Sequence, residues 1–152
     1  MADTNRRVLV TGGGRGLGTA IVRALAAAGD DVTFTYRSAA AEADTLVQEL
    51  TSAHPQQSFK AHQADLADKN AVDALLKTLD TDGPYAGFVH NAGQSYDTLA
   101  VMLDQAKAEA AMQVNFWSFT RLVNTVVRPM MRARYGRVAV IGSVTALQAN
   151  QG

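Results

Sequence analysis

The run Val8-Leu9-Val10-Thr11-Gly12-Gly13-Gly14-Arg15-Gly16-Leu17-Gly18 constrains this chain more than any other stretch. A short apolar strand enters glycines spaced G-x-x-x-G-x-G, and a helix-forming segment follows at once. Such a turn presents unpaired backbone N–H groups and the positive end of a helix dipole to an anion. A Cβ there would block close approach of a pyrophosphate or forbid a positive φ. A P-loop is excluded, because Gly13 and Gly18 have its spacing but Thr19 stands where the lysine belongs. The pattern G-x-G-x-x-G fails as well, since Leu17 occupies the place of its third glycine. What remains is Thr-Gly-x-x-x-Gly-x-Gly, carried by Thr11, Gly12, Gly16 and Gly18. Glycines between a strand and a helix can also be plain punctuation, so the loop alone does not decide the matter.

The bulk numbers narrow the classes. A chain of 152 residues, 47% hydrophobic, buries one core and reads as a single domain over 1–152. Lys plus Arg equal Asp plus Glu at 14 each, which gives no electrostatic case for nucleic acid or an anionic membrane surface. No apolar run approaches the roughly 18 residues of a membrane span. The start Met1-Ala2-Asp3-Thr4-Asn5-Arg6-Arg7 is polar and carries no signal-peptide apolar region. Cysteine is absent, and His54, His62 and His90 are scattered without metal-ligand spacing. A cytoplasmic protein is the expectation.

Apolar β-branched runs alternate with helical patterns from end to end. Strands are predicted at Arg7–Val10, Val32–Tyr36, Ser58–His62, Gly87–His90 and Arg137–Ile141, and helices at Leu17–Ala28, Ala40–Ala53, Lys69–Leu79 and Asp104–Arg128. Leu17, Ile21, Leu25 and Ala28 read as the buried stripe of the first helix, which Gly29 stops. Asp68 is placed to cap the third helix, with Val72, Leu75, Leu76 and Leu79 as its stripe. Val8-Leu9-Val10 and Val138-Ala139-Val140-Ile141 lack alternation, as strands of a parallel sheet covered on both faces do. Repeated βα units with right-handed crossovers predict an α/β fold, a Rossmann-type doubly wound parallel sheet.

In such sheets ligands lie beyond the carboxyl ends of the strands. After the first strand come the glycines; after the second, Arg37 and Ser38; after the third, Ala64-Asp65-Leu66. Asn91-Ala92-Gly93 follow the fourth and Gly142-Ser143 the fifth. The end of the second strand usually carries Asp or Glu when the ligand is NAD, gripping the ribose hydroxyls. Here Tyr36-Arg37-Ser38 stand instead, with a second guanidinium at Arg15 inside the glycine loop. Two arginines and a hydroxyl suit a ribose 2′-phosphate, so the cofactor is expected to be NADP(H).

With Thr11–Gly18, Asn91-Ala92-Gly93, Asn115 and Ser143 in this order, the chain resembles the short-chain dehydrogenase/reductase family, and within it the 3-oxoacyl-acyl-carrier-protein reductases. The resemblance covers the whole chain. It implies an oxidoreductase in which Thr11, Gly12, Gly14, Arg15, Gly16, Leu17 and Gly18 hold the pyrophosphate side of the cofactor. It places Asp65 and Leu66 beside the adenine, and Asn91, Ala92 and Gly93 on the adenine-ribose side, with Val114 also facing the cofactor. His90 stands where many members have another Asn and reads as structural. Asn115, an unfavourable residue inside a helix, matches the family's Asn that interrupts the helix and helps hold a water of the proton relay. A helix defect satisfied by a local water is the plainer alternative. Ser143 matches the serine that aligns the substrate carbonyl, although a turn or cap serine would look the same.

The family's acid, the tyrosine of Tyr-x-x-x-Lys, would fall just beyond Gly152. Tyr85, Tyr96 and Tyr135 all precede Ser143, and none has Lys four residues on. The 152 residues therefore read as a sheet truncated after its fifth strand, inactive and aggregation-prone alone. The fourth strand's far side and the fifth strand are expected to lack covering helices, and Phe116, Phe119, Leu122 and Val126 to face an incomplete partner. For the full-length protein the resemblance implies a small-molecule or carrier-protein-bound acyl substrate and a homo-oligomer, dimer or tetramer. A reductase or dehydrogenase of another alcohol or ketone, and a non-catalytic nucleotide-binding module, are the alternatives.

Overall fold

Five parallel strands carry the fold: β1 Arg7–Thr11, β2 Asp31–Tyr36, β3 Phe59–Gln63, β4 Gly87–His90 and β5 Arg137–Val140. Between them run α1 Gly16–Ala27, α2 Ala40–Ala53, α3 Lys69–Asp82, α4 Gln105–Met112 and α5 Ser118–Ala133. This computed structural model describes residues 6–148; the polar start at Met1–Asn5 and the last four residues lie outside them. The strand order is β3-β2-β1-β4-β5. Every pairing is parallel, with Thr11 of β1 beside His90 of β4 and Val10 beside Phe34 of β2. The doubly wound sheet expected from the sequence is the one observed.

The unbroken apolar strands have a direct cause. Val8 and Val10 pack with Val22, Phe34 and Leu46 on the α1–α2 face, while Leu9 between them packs with Phe88, Leu75 and Leu122 on the α3–α5 face. Successive residues thus enter opposite cores, and both must be apolar. Asp68 caps α3 as predicted, its carboxylate accepting from the Asn70 amide at 2.8 Å, and Val72, Leu75 and Leu79 are buried beneath it.

Three expectations are corrected. The buried face of α1 is Gly18, Val22 and Ala26, not the stripe at Leu17. Because Gly18 packs tightly against the preceding loop, it fixes the helix phase and turns Leu17 outward, 58% exposed. The predicted helix Asp104–Arg128 is divided: Asp104 caps α4, a π-helical turn occupies Gln113–Trp117, and α5 continues past Pro129 to Ala133. Its inward stripe is Ser118, Leu122, Val126 and Met130. Leu122 and Val126 therefore lie in the core, Phe119 is packed against that core, and only Phe116 of the predicted four is exposed. β4 is covered on its α5 face, where Phe88 and His90 are buried beside Phe119, while Val89 on its far side is only partly buried, as expected. β5 is bare, with Val138 and Val140 exposed, as is Ile141 just after it.

At the opposite edge, β3 is fastened by charge. Asp82 accepts from Lys60 at 2.6 Å and pairs with His62 at 2.8 Å. Burial by itself raises the Asp82 carboxyl, but the hydrogen bonds and charges of Lys60 and His62 outweigh it and hold the group below its ordinary value.

Leu122 is fully buried between α5 and the sheet. Leu122→Ala is expected to lower unfolding free energy by about 2–5 kcal/mol in chemical denaturation. A loss under about 1 kcal/mol would contradict the position assigned to this side chain.

Candidate functional site

The C-terminal ends of β1, β2 and β4 open onto a cavity of about 580 Å³. It lies where the strand order reverses about β1, so the connections from β1 and β4 leave toward opposite faces.

The floor is the glycine loop, and its glycines serve different ends. A Cβ on Gly18 would lie 1.9 Å from the Gly12 carbonyl oxygen, an impossible contact that ties the first turn of α1 to the end of β1. Cβ atoms on Gly13 and Gly14 would strike Phe34 and Tyr36, so these two glycines let the loop lie flat on β2. Gly16 differs: its φ is +56° and a Cβ there would meet nothing within 4 Å. The space in front of Gly16 belongs to the cavity. Thr35, 1% exposed, holds the loop from below by accepting from the Gly12 amide through its hydroxyl and from the Gly13 amide through its carbonyl. Thr19 closes the turn by donating to the Gly13 carbonyl at 3.0 Å.

The start of α1 has no side-chain cap and no acidic residue in its first turn. Its leading amides and dipole therefore face the cavity uncompensated. Arg15 and Arg37 stand on this cavity, both exposed, and among the described residues neither pairs with a carboxylate. Gln63 donates to the Arg37 carbonyl at 3.0 Å and fixes the backbone from which that guanidinium projects. Ser38 lies beside it on the cavity wall.

Asp65 and Leu66 form the next wall after β3. Asp65 is bent into place by the Ala67 amide, which donates to its carboxylate at 3.0 Å. Asn91, Ala92 and Gly93 form the wall after β4. Asn91 donates through Nδ2 to the Gly12 carbonyl at 3.0 Å, bridging two loops far apart in sequence. Thr11 is fully buried and does not line the cavity; its hydroxyl accepts from the amides of Asn91 and Ala92. Val114 reaches the cavity from the π turn.

Asn115 and Ser143 stand apart from this set and are absent from the cavity lining. Asn115 sits in the π turn, where its Oδ1 accepts from the Gln94 amide and its Nδ2 donates to the Gln94 carbonyl, both at 2.8 Å. The helix irregularity thus has a protein partner rather than a stray water. Ser143 follows β5 and is exposed; its Oγ accepts from the Thr145 amide at 3.2 Å and the Thr145 hydroxyl at 2.7 Å. With its acceptor sites taken, the Ser143 proton remains free to donate.

Thr35, Tyr36, Ala39, Gln94 and Ser95 also line the cavity. Thr35 shares its buried strand with a second threonine, Thr33, so no sequence signal singles it out. Gln94 and Ser95 extend a wall already marked by Asn91 and carry no separate signal.

Residues 6–152 match the family model described as short chain dehydrogenase. The chain is 34% identical over 142 residues to the 3-oxoacyl-acyl-carrier-protein reductase MabA of Mycobacterium tuberculosis, covering 93% of the chain and 52% of that protein. It is 33% identical over 152 residues to the 3-oxoacyl-acyl-carrier-protein reductase of a Synechocystis species, covering 99% of the chain and 61% of the relative. Among solved structures, a blue fluorescent protein from a metagenomic library in complex with NADPH superposes with a TM-score of 0.84 at 33% identity, over 97% of the chain and 59% of that protein. The chain thus spans about half to three-fifths of the length of these relatives.

Gly18→Ala forces the loop off α1 and is expected to weaken dinucleotide binding at least about tenfold, read by nucleotide fluorescence. Unchanged affinity would mean that the Gly12–Gly18 contact does not shape the cavity.

Proposed function

The chain belongs to the short-chain dehydrogenase family, and on that premise we propose that it supplies the cofactor-binding part of an NADPH-dependent carbonyl reductase. The substrate we infer is a 3-oxoacyl thioester, reduced to its 3-hydroxyacyl form. One observation carries the cofactor assignment: two guanidinium groups, Arg15 and Arg37, unpaired among the described residues, stand at a glycine-lined cavity beside Ser38, with no carboxylate at the end of β2. A carboxylate there would repel a 2′-phosphate, whereas guanidinium groups bind one through charge-assisted hydrogen bonds. NADPH in a 33% identical structural neighbour supports the same reading.

The residues fit a dinucleotide. The open space at Gly16 and the uncapped start of α1 accept a pyrophosphate without displacing any side chain. Leu66 and Val114 offer apolar contact to a ring system, and Asp65 borders the adenine side. When bound, the reduced nicotinamide supplies the hydride, which goes to the ketone carbon. Ser143 donates its free proton as a hydrogen bond to the carbonyl oxygen and steadies the negative charge that grows there. Asn115, held by Gln94, keeps the π turn in the form that supports the proton relay.

A proton must reach that oxygen from a separate acid. No tyrosine of this chain has Lys four residues on. Tyr85 is buried, which pushes its hydroxyl up to about 12, and the Tyr96 hydroxyl accepts from the Asp104 amide. We assign the acid to the family's Tyr-x-x-x-Lys motif in the full-length protein. The exposed Met112, Phe116 and Trp117 around the π turn are where we place the contact between subunits of a homo-oligomer. The acyl carrier as substrate follows from the names of the relatives.

In the full-length protein, Arg15→Ala and Arg37→Ala are each expected to weaken NADPH binding about tenfold while NADH binding stays level. Equal losses for both nucleotides would remove the 2′-phosphate assignment. Ser143→Ala is expected to lower kcat for a 3-oxoacyl thioester by about 100-fold or more at unchanged NADPH affinity. An active Ser143→Ala enzyme would refute that role.

A further inference from the structure

His90 closes β4 in the middle of the sheet, 2% exposed, with Thr11 of β1 on one side and Val140 of β5 on the other. Its hydrogen-bond accounting leaves one solution. The Thr11 hydroxyl oxygen accepts from the Asn91 amide and the Ala92 amide, each at 3.1 Å. A hydroxyl has two acceptor sites and one proton. Both sites are filled, so the proton goes to its third neighbour, His90 Nδ1 at 3.0 Å. Nδ1 is therefore the acceptor nitrogen, and the neutral ring carries its hydrogen on Nε2.

Nε2 is buried and has no hydrogen-bond partner among the described residues. Backbone carbonyls of Asn115 and Val114, in the π turn, act on the ring and favour its charged form. We propose that His90, as its neutral Nε2–H tautomer, is a positioning residue that fixes the Thr11 hydroxyl and, through it, the Asn91–Ala92 segment beside the glycine loop. The segment so held, Asn91 and Ala92, is a wall of the cavity. This tie rests on the cofactor reading above only for its effect on NADPH; the tautomer itself does not.

A second proton is excluded by the same accounting. A hydrogen on Nδ1 would point at a hydroxyl whose acceptor sites already serve two amides. No charged side chain among the described residues faces the ring. β1 contributes Thr11, β4 contributes Phe88, α5 contributes Phe119 at 5.3 Å between centroids, β5 pairs through Val140, and the π turn offers carbonyls. Burial lowers the pKa of the ring from its ordinary 6.5, and the two carbonyls oppose this without reversing it. The unfolded chain consequently takes up this proton first. The stabilisation is complete above 6.5 and is lost as pH falls from there toward the depressed folded value.

The test uses the full-length protein labelled with 15N-histidine. Between about pH 5 and 8, His90 should show a pyridine-type Nδ1 and a pyrrole-type Nε2. NADPH affinity is then measured over the same range for the wild type, His90→Asn and His90→Phe. His90→Phe should bind NADPH about tenfold more weakly at neutral pH. His90→Asn, whose carboxamide can accept from Thr11, should recover most of that affinity. Relative to the wild type it should lose less affinity in acid; the titration of the 2′-phosphate itself is common to all three proteins. A pyrrole-type Nδ1 at neutral pH, or a His90→Phe protein with wild-type affinity and pH profile, would overturn the tie. If the wild type binds no NADPH, the cofactor reading fails by itself. The tie is then decided by the tautomer and by whether His90→Phe, but not His90→Asn, speeds hydrogen exchange of the Asn91 and Ala92 amides.

Discussion

Everything in this fold follows from the placing of β1 between β2 and β4. A central parallel strand must have both faces covered, so its residues are apolar whichever way they point, as Val8, Leu9 and Val10 are. Because the neighbours of β1 lie on opposite sides, the chain leaves the ends of β1 and β4 in different directions and cannot fill the space between. The crevice is a consequence of topology before any side chain is chosen. What the sequence adds is a loop thin enough to line it, and amides left without partners.

That loop joins the sheet to α1 by contact rather than by hydrogen bonds alone. The Gly12 carbonyl lies where a Gly18 side chain would be, which sets the rotation of α1 about its axis. The same rotation buries Val22 and Ala26 against β2 and leaves Leu17 at the cavity. Packing in one core and access to the candidate site are therefore fixed by a single backbone approach.

This also explains which features could be read before the structure was known. The first and fifth strands were legible because their apolar runs have no alternation, and Gly87–His90 was placed to the residue. The face of α1 was not, because Leu17, Ile21 and Leu25 make a plausible stripe and a glycine offers no hydrophobic signal, although here the glycine decides the phase. Asn115 was legible as an anomaly, but the π turn and the Gln94 clamp depend on a partner twenty-one residues away. Thr35 escaped notice because a threonine is at home in any strand; its hydrogen bonds to the glycine loop appear only when β1 and β2 are side by side. The expected end at Arg128 fell short for a related reason: Met130 is buried in the core, and that burial holds α5 through Pro129.

The bonds that close the cavity join distant parts of the chain. Asn91 reaches Gly12 across 79 residues, and Ala92 reaches Thr11 across 81. An unfolded chain has no such pocket in any local segment, so whatever fills it binds the native state alone. Ligand concentration then acts as a folding force: at a hundredfold excess over Kd, occupancy would add about 2.7 kcal/mol to stability. For a domain whose whole stability is of the order of 5–15 kcal/mol, the supply of ligand becomes part of what keeps the chain folded.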